Sequence, residues 1–225
     1  MNRVKQHFEN EAPDFDRLIL KVIPDYPRMI EALVTALPFE SAAPIRVIDL
    51  GCGTGSVAQA VLNAFPIAQV TCLDFAENMV VMAKAKLAIY SGVRYTVGDF
   101  ESFDGEYDAA VSSLALHHLP SEEDKRRFYH YIHERLSPGG AFYNADLVLA
   151  SSDTLQLKYM DHWRTFMRRN IPDSEIEGMV IPTYKAEDHP ARLIDHMKWM
   201  TEIGFADVDV LWKHYNFAVY GGRKR

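Results

Sequence analysis

Positive charge is in short supply in this chain, with 24 Lys and Arg against 31 Asp and Glu and a formal net charge of −7. Nonspecific nucleic-acid binding rests on clustered cations that displace counterions. The deficit therefore argues against a surface built for phosphate backbones and leaves room only for a local basic patch. Cysteine is scarcer still. Cys52 and Cys72 have neither the number nor the spacing of a disulfide framework or a zinc site, and both fall in or beside apolar strand segments, as small core residues do. No apolar run approaches the roughly 18 residues that a bilayer span needs. The polar start Met1-Asn2-Arg3-Val4-Lys5-Gln6 lacks the apolar core of a signal peptide. A soluble cytoplasmic protein with no membrane partner is the expectation, and a homodimer is compatible with it. Repeats and low-complexity tracts are also missing. Histidine is the exception to this sparseness, with nine. Yet His117 and His118 are adjacent rather than at helical i, i+4 spacing, and His130 and His133 lie in a polar helix with no acidic metal motif beside them. No metal is expected.

What is present is enough for one sizeable core: 225 residues, 48% of them apolar. From residue 45 short apolar runs alternate with helical patterns, the signature of βαβ units and a mostly parallel sheet. Strands are expected at Ile45 to Leu50, Val70 to Leu73, Val93 to Val97, Tyr107 to Ser112 and Ala141 to Leu149. Between them, helices are expected at Ser56 to Phe65, Glu77 to Tyr90 and Glu122 to Leu136, the last ended by Ser137-Pro138-Gly139-Gly140. The rhythm then stops for about fifty residues that read as two or three helices. Two closing strands, Ala206 to Lys213 and Tyr215 to Tyr220, are joined so tightly that they must pair antiparallel. Pro13, Pro24, Pro27 and Pro38 punctuate helical patterns at the start. The expectation is a single α/β domain with a Rossmann-like, seven-stranded, mostly parallel sheet. A helical N-terminal cover spans 1–40, a cofactor-binding core 41–150, a helical insertion or lid 151–203 and a closing β-hairpin 204–225.

The strongest motif is Asp49-Leu50-Gly51-Cys52-Gly53-Thr54-Gly55, a buried strand running into a Gly-rich turn and a helix, where glycine lets the backbone approach a ligand closely. Dehydrogenases use a similar turn, but the dinucleotide pattern Gly-x-Gly-x-x-Gly needs glycine at 56, where this chain has Ser56. Asp74 ends the second strand, where a carboxylate can accept hydrogen bonds from both hydroxyls of a ribose. Gly98-Asp99-Phe100 follows the third strand and offers a carboxylate and a ring to an adenine. Asp99 could equally cap a turn. Three consecutive strand ends thus carry ligand-binding groups, as the carboxyl edge of an open α/β sheet requires.

These motifs, with Leu73-Asp74-Phe75-Ala76-Glu77-Asn78-Met79 and Leu136-Ser137-Pro138-Gly139-Gly140, resemble class I S-adenosylmethionine-dependent methyltransferases over about residues 45–150. The resemblance implies S-adenosyl-L-methionine as cofactor. It carries over the methionine-binding turn to Asp49, Gly51 and Gly53, the ribose acceptor to Asp74 and the adenine contacts to Asp99 and Phe100. Cys52, Phe75, Met79 and Leu114 complete the implied cofactor set, Met79 against the adenine face. Phe15-Asp16, Ile23-Pro24-Asp25-Tyr26 and Trp212-Lys213-His214-Tyr215-Asn216-Phe217 are similar to the subgroup containing tRNA wobble-uridine carboxymethyltransferases. The arginine that subgroup uses for a carboxylated cofactor has no match here, so the ordinary cofactor is expected.

A sulfonium methyl is intrinsically electrophilic, so alignment and water exclusion can carry much of the reaction. His117 and His118, after the fourth strand, are the candidate catalytic bases, and Asn144 and Asp146 at the end of the fifth are next. There is no Asn-Pro-Pro-aromatic sequence, no Pro-Cys nucleophile and no visible acidic trio for magnesium, which favours a small-molecule acceptor over nucleic acid, with tRNA the alternative. Tyr159, Trp163, Phe166, Trp199 and Met200, with Phe8, Phe15 and Tyr26, are candidates for an apolar lid or for ordinary core. An NAD-binding oxidoreductase and a noncatalytic cofactor-binding domain are the competing classes.

Overall fold

The computed structural model describes residues 4, 5, 8, 9 and 14–225; Pro13 and eight other residues of the expected cover over 1–40 lie outside them. Helices α1 (Phe15–Val22) and α2 (Tyr26–Thr35) precede the sheet. Pro27 sits in the first turn of α2, where its missing N–H costs nothing, and Met29, Ile30, Leu33 and Val34 form that helix's buried stripe. The alternating segment follows as β1 (Arg46–Leu50), α3 (Ser56–Ala64), β2 (Gln69–Asp74), α4 (Glu77–Lys86), β3 (Val93–Val97), β4 (Tyr107–Ser113), α5 (Glu122–Arg135) and β5 (Leu136–Leu147). Then come α6 (Asp153–Met167), a short helical and π-helical stretch over 173–180, α7 (Ile181–Glu187), α8 (Leu193–Ile203), β6 (Phe205–His214) and β7 (Phe217–Lys224).

The seven strands run in the order β3-β2-β1-β4-β5-β7-β6. The first five are parallel, and β7 enters antiparallel between β5 and β6. Strand order reverses at β1, which pairs with β2 on one side and β4 on the other, so a crevice opens beyond its carboxyl end. Alternate side chains of each strand feed two cores. Val47, Val70, Val111 and Val219 meet α2, α3 and Trp163 on one face; Ile48, Leu73, Ala110 and Phe142 meet α5 and α8 on the other.

Three expectations are corrected. Helix α4 stops at Lys86 rather than Tyr90, because the chain turns back through Gly92 (φ 82°) to feed β3. Strand β5 begins at Leu136, not Ala141: Tyr107 faces Leu136 and Ala109 faces Ala141, so Ser137–Gly140 is a bulge within the strand. Finally, α8 is not lid. Trp199 and Met200 are buried under the sheet, and the helix is the crossover that delivers β6. The excursion from the sheet is shorter than expected and is pinned at its neck, where Leu149 pairs with Arg192 and its amide donates to Ala191 O at 2.8 Å.

Candidate active site

Gly51 leaves β1 with φ 70°, and a Cβ there would lie 2.4 Å from the Cβ of Ala115, so only glycine lets the first turn pass under the β4 loop. Its amide and that of Cys52 donate to Leu73 O, which locks the turn to the end of β2. Asp74 completes the lock: Oδ2 accepts from Gly53 N at 2.8 Å and Oδ1 from Ala76 N at 2.9 Å. Burial raises its pKa despite those two amides. Beneath the turn Asp49 is fully buried. One oxygen accepts from Ala58 N at 3.0 Å, and the other has no hydrogen-bond partner among the described residues. Desolvation, only partly offset by the Ala58 amide, pushes its pKa up to about 7.

A cleft of about 800 Å³ opens over these strand ends. Of the residues expected to hold a cofactor, Gly51, Cys52, Gly53, Asp74, Phe75, Met79, Asp99, Phe100 and Leu114 line it; Asp49 lies behind the wall. Asp99 also bonds its own turn, accepting from Ser102 Oγ at 2.6 Å, which is the capping role weighed for it. Leu114 holds φ 51°, a strained value for a leucine, at the point where cleft and loop meet.

A second cavity, of about 870 Å³ including its mouth, abuts the first and shares Phe8, Phe15, Leu114 and His118 with it. Its body is apolar, with Leu18, Ile19, Val22, Trp163, Tyr184 and Phe217, and its polar end holds His117, His118, Glu187 and Asp188. The lid candidates divide accordingly. Phe8, Phe15, Tyr26 and Trp163 border the cavities, Phe166 packs against the core, and Tyr159 lies beside Tyr215 and Lys213 instead.

His117 sits in a 3-10 turn after β4, and its Nδ1 lies 2.5 Å from Asp146 Oδ1. Its Nε2 faces Asp188 Oδ1 at 3.6 Å, while His118 Nδ1 is 3.4 Å from that same oxygen and 3.2 Å from Glu187 O. Burial opposes the charged imidazole of His117, but Asp146 and Asp188 outweigh it and the pKa is raised. Asn144 supports Asp146, its Nδ2 donating to Asp146 Oδ2 at 3.1 Å.

Other side chains fasten the site, and two of them, Asp16 and Trp163, are already singled out in the sequence in other roles. Asp16 reaches from α1 to Lys86 Nζ at 2.7 Å and accepts from Thr54 Oγ1 at 2.5 Å, which ties the cover to the glycine turn. The carboxylate of Glu9 caps α4, accepting from Glu77 N at 2.7 Å and Asn78 N at 2.9 Å. Trp163 Nε1 donates to Val22 O at 2.8 Å and fixes α6 against α1. Glu187 and Asp188 arrive from the excursion, some seventy residues from the histidines they face, with no local signal to mark them.

Comparison with known proteins finds the same fold and a similar turn. Residues 47–140 match the methyltransferase domain family. Human N-acetylserotonin methyltransferase, solved with S-adenosylmethionine, superposes with a TM-score of 0.64 at 18% identity, over 96% of this chain and 56% of that one. Residues 47–140 are therefore similar to a methyltransferase domain, and the chain as a whole has the fold of S-adenosylmethionine-dependent methyltransferases. Trans-aconitate 2-methyltransferase of Deinococcus radiodurans is 34% identical over 113 residues, 50% of this chain and 40% of that enzyme. Carboxy-S-adenosyl-L-methionine synthase of Campylobacter hominis is 23% identical over 99% of this chain and 97% of its own length. The first curated relatives are matched over only 29% to 40% of their lengths.

Proposed function

We propose that this chain transfers the methyl group of S-adenosylmethionine to a small acceptor whose apolar body fills the second cavity. The observation that carries the reading is the abutment of two cavities: one built on three strand ends, the other apolar with a polar end, joined at Phe8, Phe15, Leu114 and His118. In this reading Asp74 receives the ribose hydroxyls, Asp99 and Phe100 meet the adenine, and Gly51 and Gly53 pass beneath the methionine moiety. Asp49 lies behind that turn and holds the start of α3 through the Ala58 amide. The sulfonium methyl then points across the shared wall. His117 and His118 orient the acceptor's nucleophilic atom there, Asp146 holds the His117 ring, and Phe8, Phe15 and Trp163 exclude water. Residues 41–150 supply the cofactor half, and the N-terminal cover with the excursion before α8 supplies the acceptor half. The acidic balance of the chain supports a small molecule over tRNA.

The full-length likeness to a carboxy-S-adenosyl-L-methionine synthase favours a second reading, in which a carboxylated cofactor is made or used. An added carboxylate calls for a nearby cation, and no Arg or Lys stands among the described residues lining the first cleft, which supports the ordinary cofactor. Incubation of the chain with methyl-labelled S-adenosylmethionine and a panel of hydroxylated and thiol-bearing aromatic and aliphatic acids tests the proposal. Label should pass to one chemical class and fall with His118→Ala while cofactor affinity stays close to wild type. Label passing only to tRNA, or to nothing while the cofactor binds, would remove the small-molecule reading.

A further inference from the structure

The polar end of the second cavity has a composition that orienting an acceptor does not by itself require. Two carboxylates, those of Asp146 and Asp188, lie against the His117 imidazole, Asp188 is also 3.4 Å from His118 Nδ1, and Glu187 lines the same end. Carboxylate oxygens beside two imidazoles are donor types that a divalent ion takes up.

Geometry is more specific than composition. One ligand atom from each of His117, His118 and Asp188 lies within 4.8 Å of the other two. Asp188 Oδ1 is 3.6 Å from His117 Nε2 and 3.4 Å from His118 Nδ1. Bonds of about 2.0–2.2 Å at a tetrahedral ion place neighbouring ligand atoms roughly 3.3–3.6 Å apart, so two edges of a coordination polyhedron are already at length. Orientation agrees as well. The Nδ1 of His117 is held by Asp146, and Nε2, whose proton an ion would displace, faces Asp188; this is the carboxylate–histidine arrangement that orients metal-bound imidazoles. The ligand-bearing segments are also fastened together, since His189 N donates to His117 O at 2.9 Å.

We propose that His117, His118 and Asp188 bind a divalent first-row transition metal at the wall between the two cavities. Two imidazoles select zinc, cobalt, nickel, iron or manganese over magnesium and calcium, which take oxygen ligands. On binding, His118 Nδ1 exchanges its contact with Glu187 O for the ion. Three protein ligands leave coordination positions open toward the acceptor cavity, where an acceptor oxygen can be held and polarised beside the methyl group. This deepens the methyl-transfer reading by naming what the polar end holds, yet metal binding can be measured without any acceptor.

The tag-free chain, stripped with chelator, is titrated with Co²⁺ and then Zn²⁺, following visible cobalt absorption and total bound metal. One ion per chain is expected, displaced by Zn²⁺. Binding should be lost in Asp188→Asn and in His118→Ala, and weakened about 10- to 100-fold in Asp146→Asn, which frees the His117 ring. A cooperative thermal transition in each variant shows that it is folded. Substoichiometric binding by the wild type, or equal cobalt affinity in wild type and either folded ligand variant, overturns the site. Cofactor binding without metal would leave the methyl-transfer reading standing; metal binding without cofactor would leave only the metal site.

Discussion

At the scale of single residues, the cleft depends on atoms that serve the fold and the ligand together. Both oxygens of Asp74 already hold backbone amides of the glycine turn and the α4 entry, so the carboxylate that would receive a ribose also fixes the loop beneath it. Asp74→Ala is therefore expected to weaken S-adenosylhomocysteine binding by about 1–3 kcal/mol and also to lower thermal stability, as the amides lose a charged acceptor. Calorimetric titration and a melting curve check the two effects separately; unchanged affinity in the folded variant would take Asp74 out of the site. These residues were legible because each chemistry has a local signature: glycines at a strand exit, an acid at the next strand end, Asp-Phe after the third. The polar end of the second cavity was only half legible. His117 and His118 stand out as a pair after a strand, but nothing near Glu187 and Asp188 in sequence announces that the chain returns there.

At the scale of elements, helix α1 is tied to the glycine turn and to α4 by polar contacts that converge on Asp16. Its carboxylate is depressed in pKa: burial pushes it up, but hydrogen bonds from Lys86 and Thr54 and the Lys86 charge prevail. A depressed acid contributes stability above its unfolded pKa and loses it as pH falls through the folded value, so this latch is intact at neutral pH and opens below about pH 4. Asp16 is half exposed, which limits its contribution to about 1 kcal/mol. Asp16→Ala should leave the sheet intact, speed amide exchange across Phe15–Val22 and raise the cofactor dissociation rate; exchange confined to wild-type levels would show that Trp163 and the apolar contacts suffice. Element types and order were readable from periodicity, but side assignment was not. The apolar stripe of α8 looks the same whether it faces a ligand or the underside of a sheet, and only the strand that follows it, β6, decides. Likewise Pro138 and two glycines read as an end to structure, whereas the sheet absorbs them as a bulge.

At the scale of the whole molecule, two buried groups set opposing pH slopes. Asp49, raised from 3.8 to about 7, binds a proton in the fold that the unfolded chain has released, so its contribution falls as pH rises from about 4 to 7. His196, buried under the sheet beside Tyr129 and Tyr220, is lowered from 6.5 to about 3. The unfolded chain takes up that proton on acidification and the fold does not, so its contribution falls as pH drops from about 6.5 to 3. Between pH ~4 and ~6.5 the two slopes cancel to first order. Asp49→Asn should expose the histidine slope, with the melting temperature dropping on acidification, and His196→Gln should expose the opposite one. Parallel profiles for wild type and both variants would contradict the burial argument.

The same scale carries the central claim, that the carboxyl edge of this sheet is a cofactor site for S-adenosylmethionine. Among the described residues no helix is long and apolar enough to cross a membrane, and the cleft lies open at the switch point of the sheet. The measurement is calorimetric titration of the purified chain, cleared of carried-over ligand, with S-adenosylmethionine, S-adenosylhomocysteine and NAD. Saturable binding of the first two at one site is expected, with competition between them and no binding of NAD. Binding of NAD alone would contradict the claim.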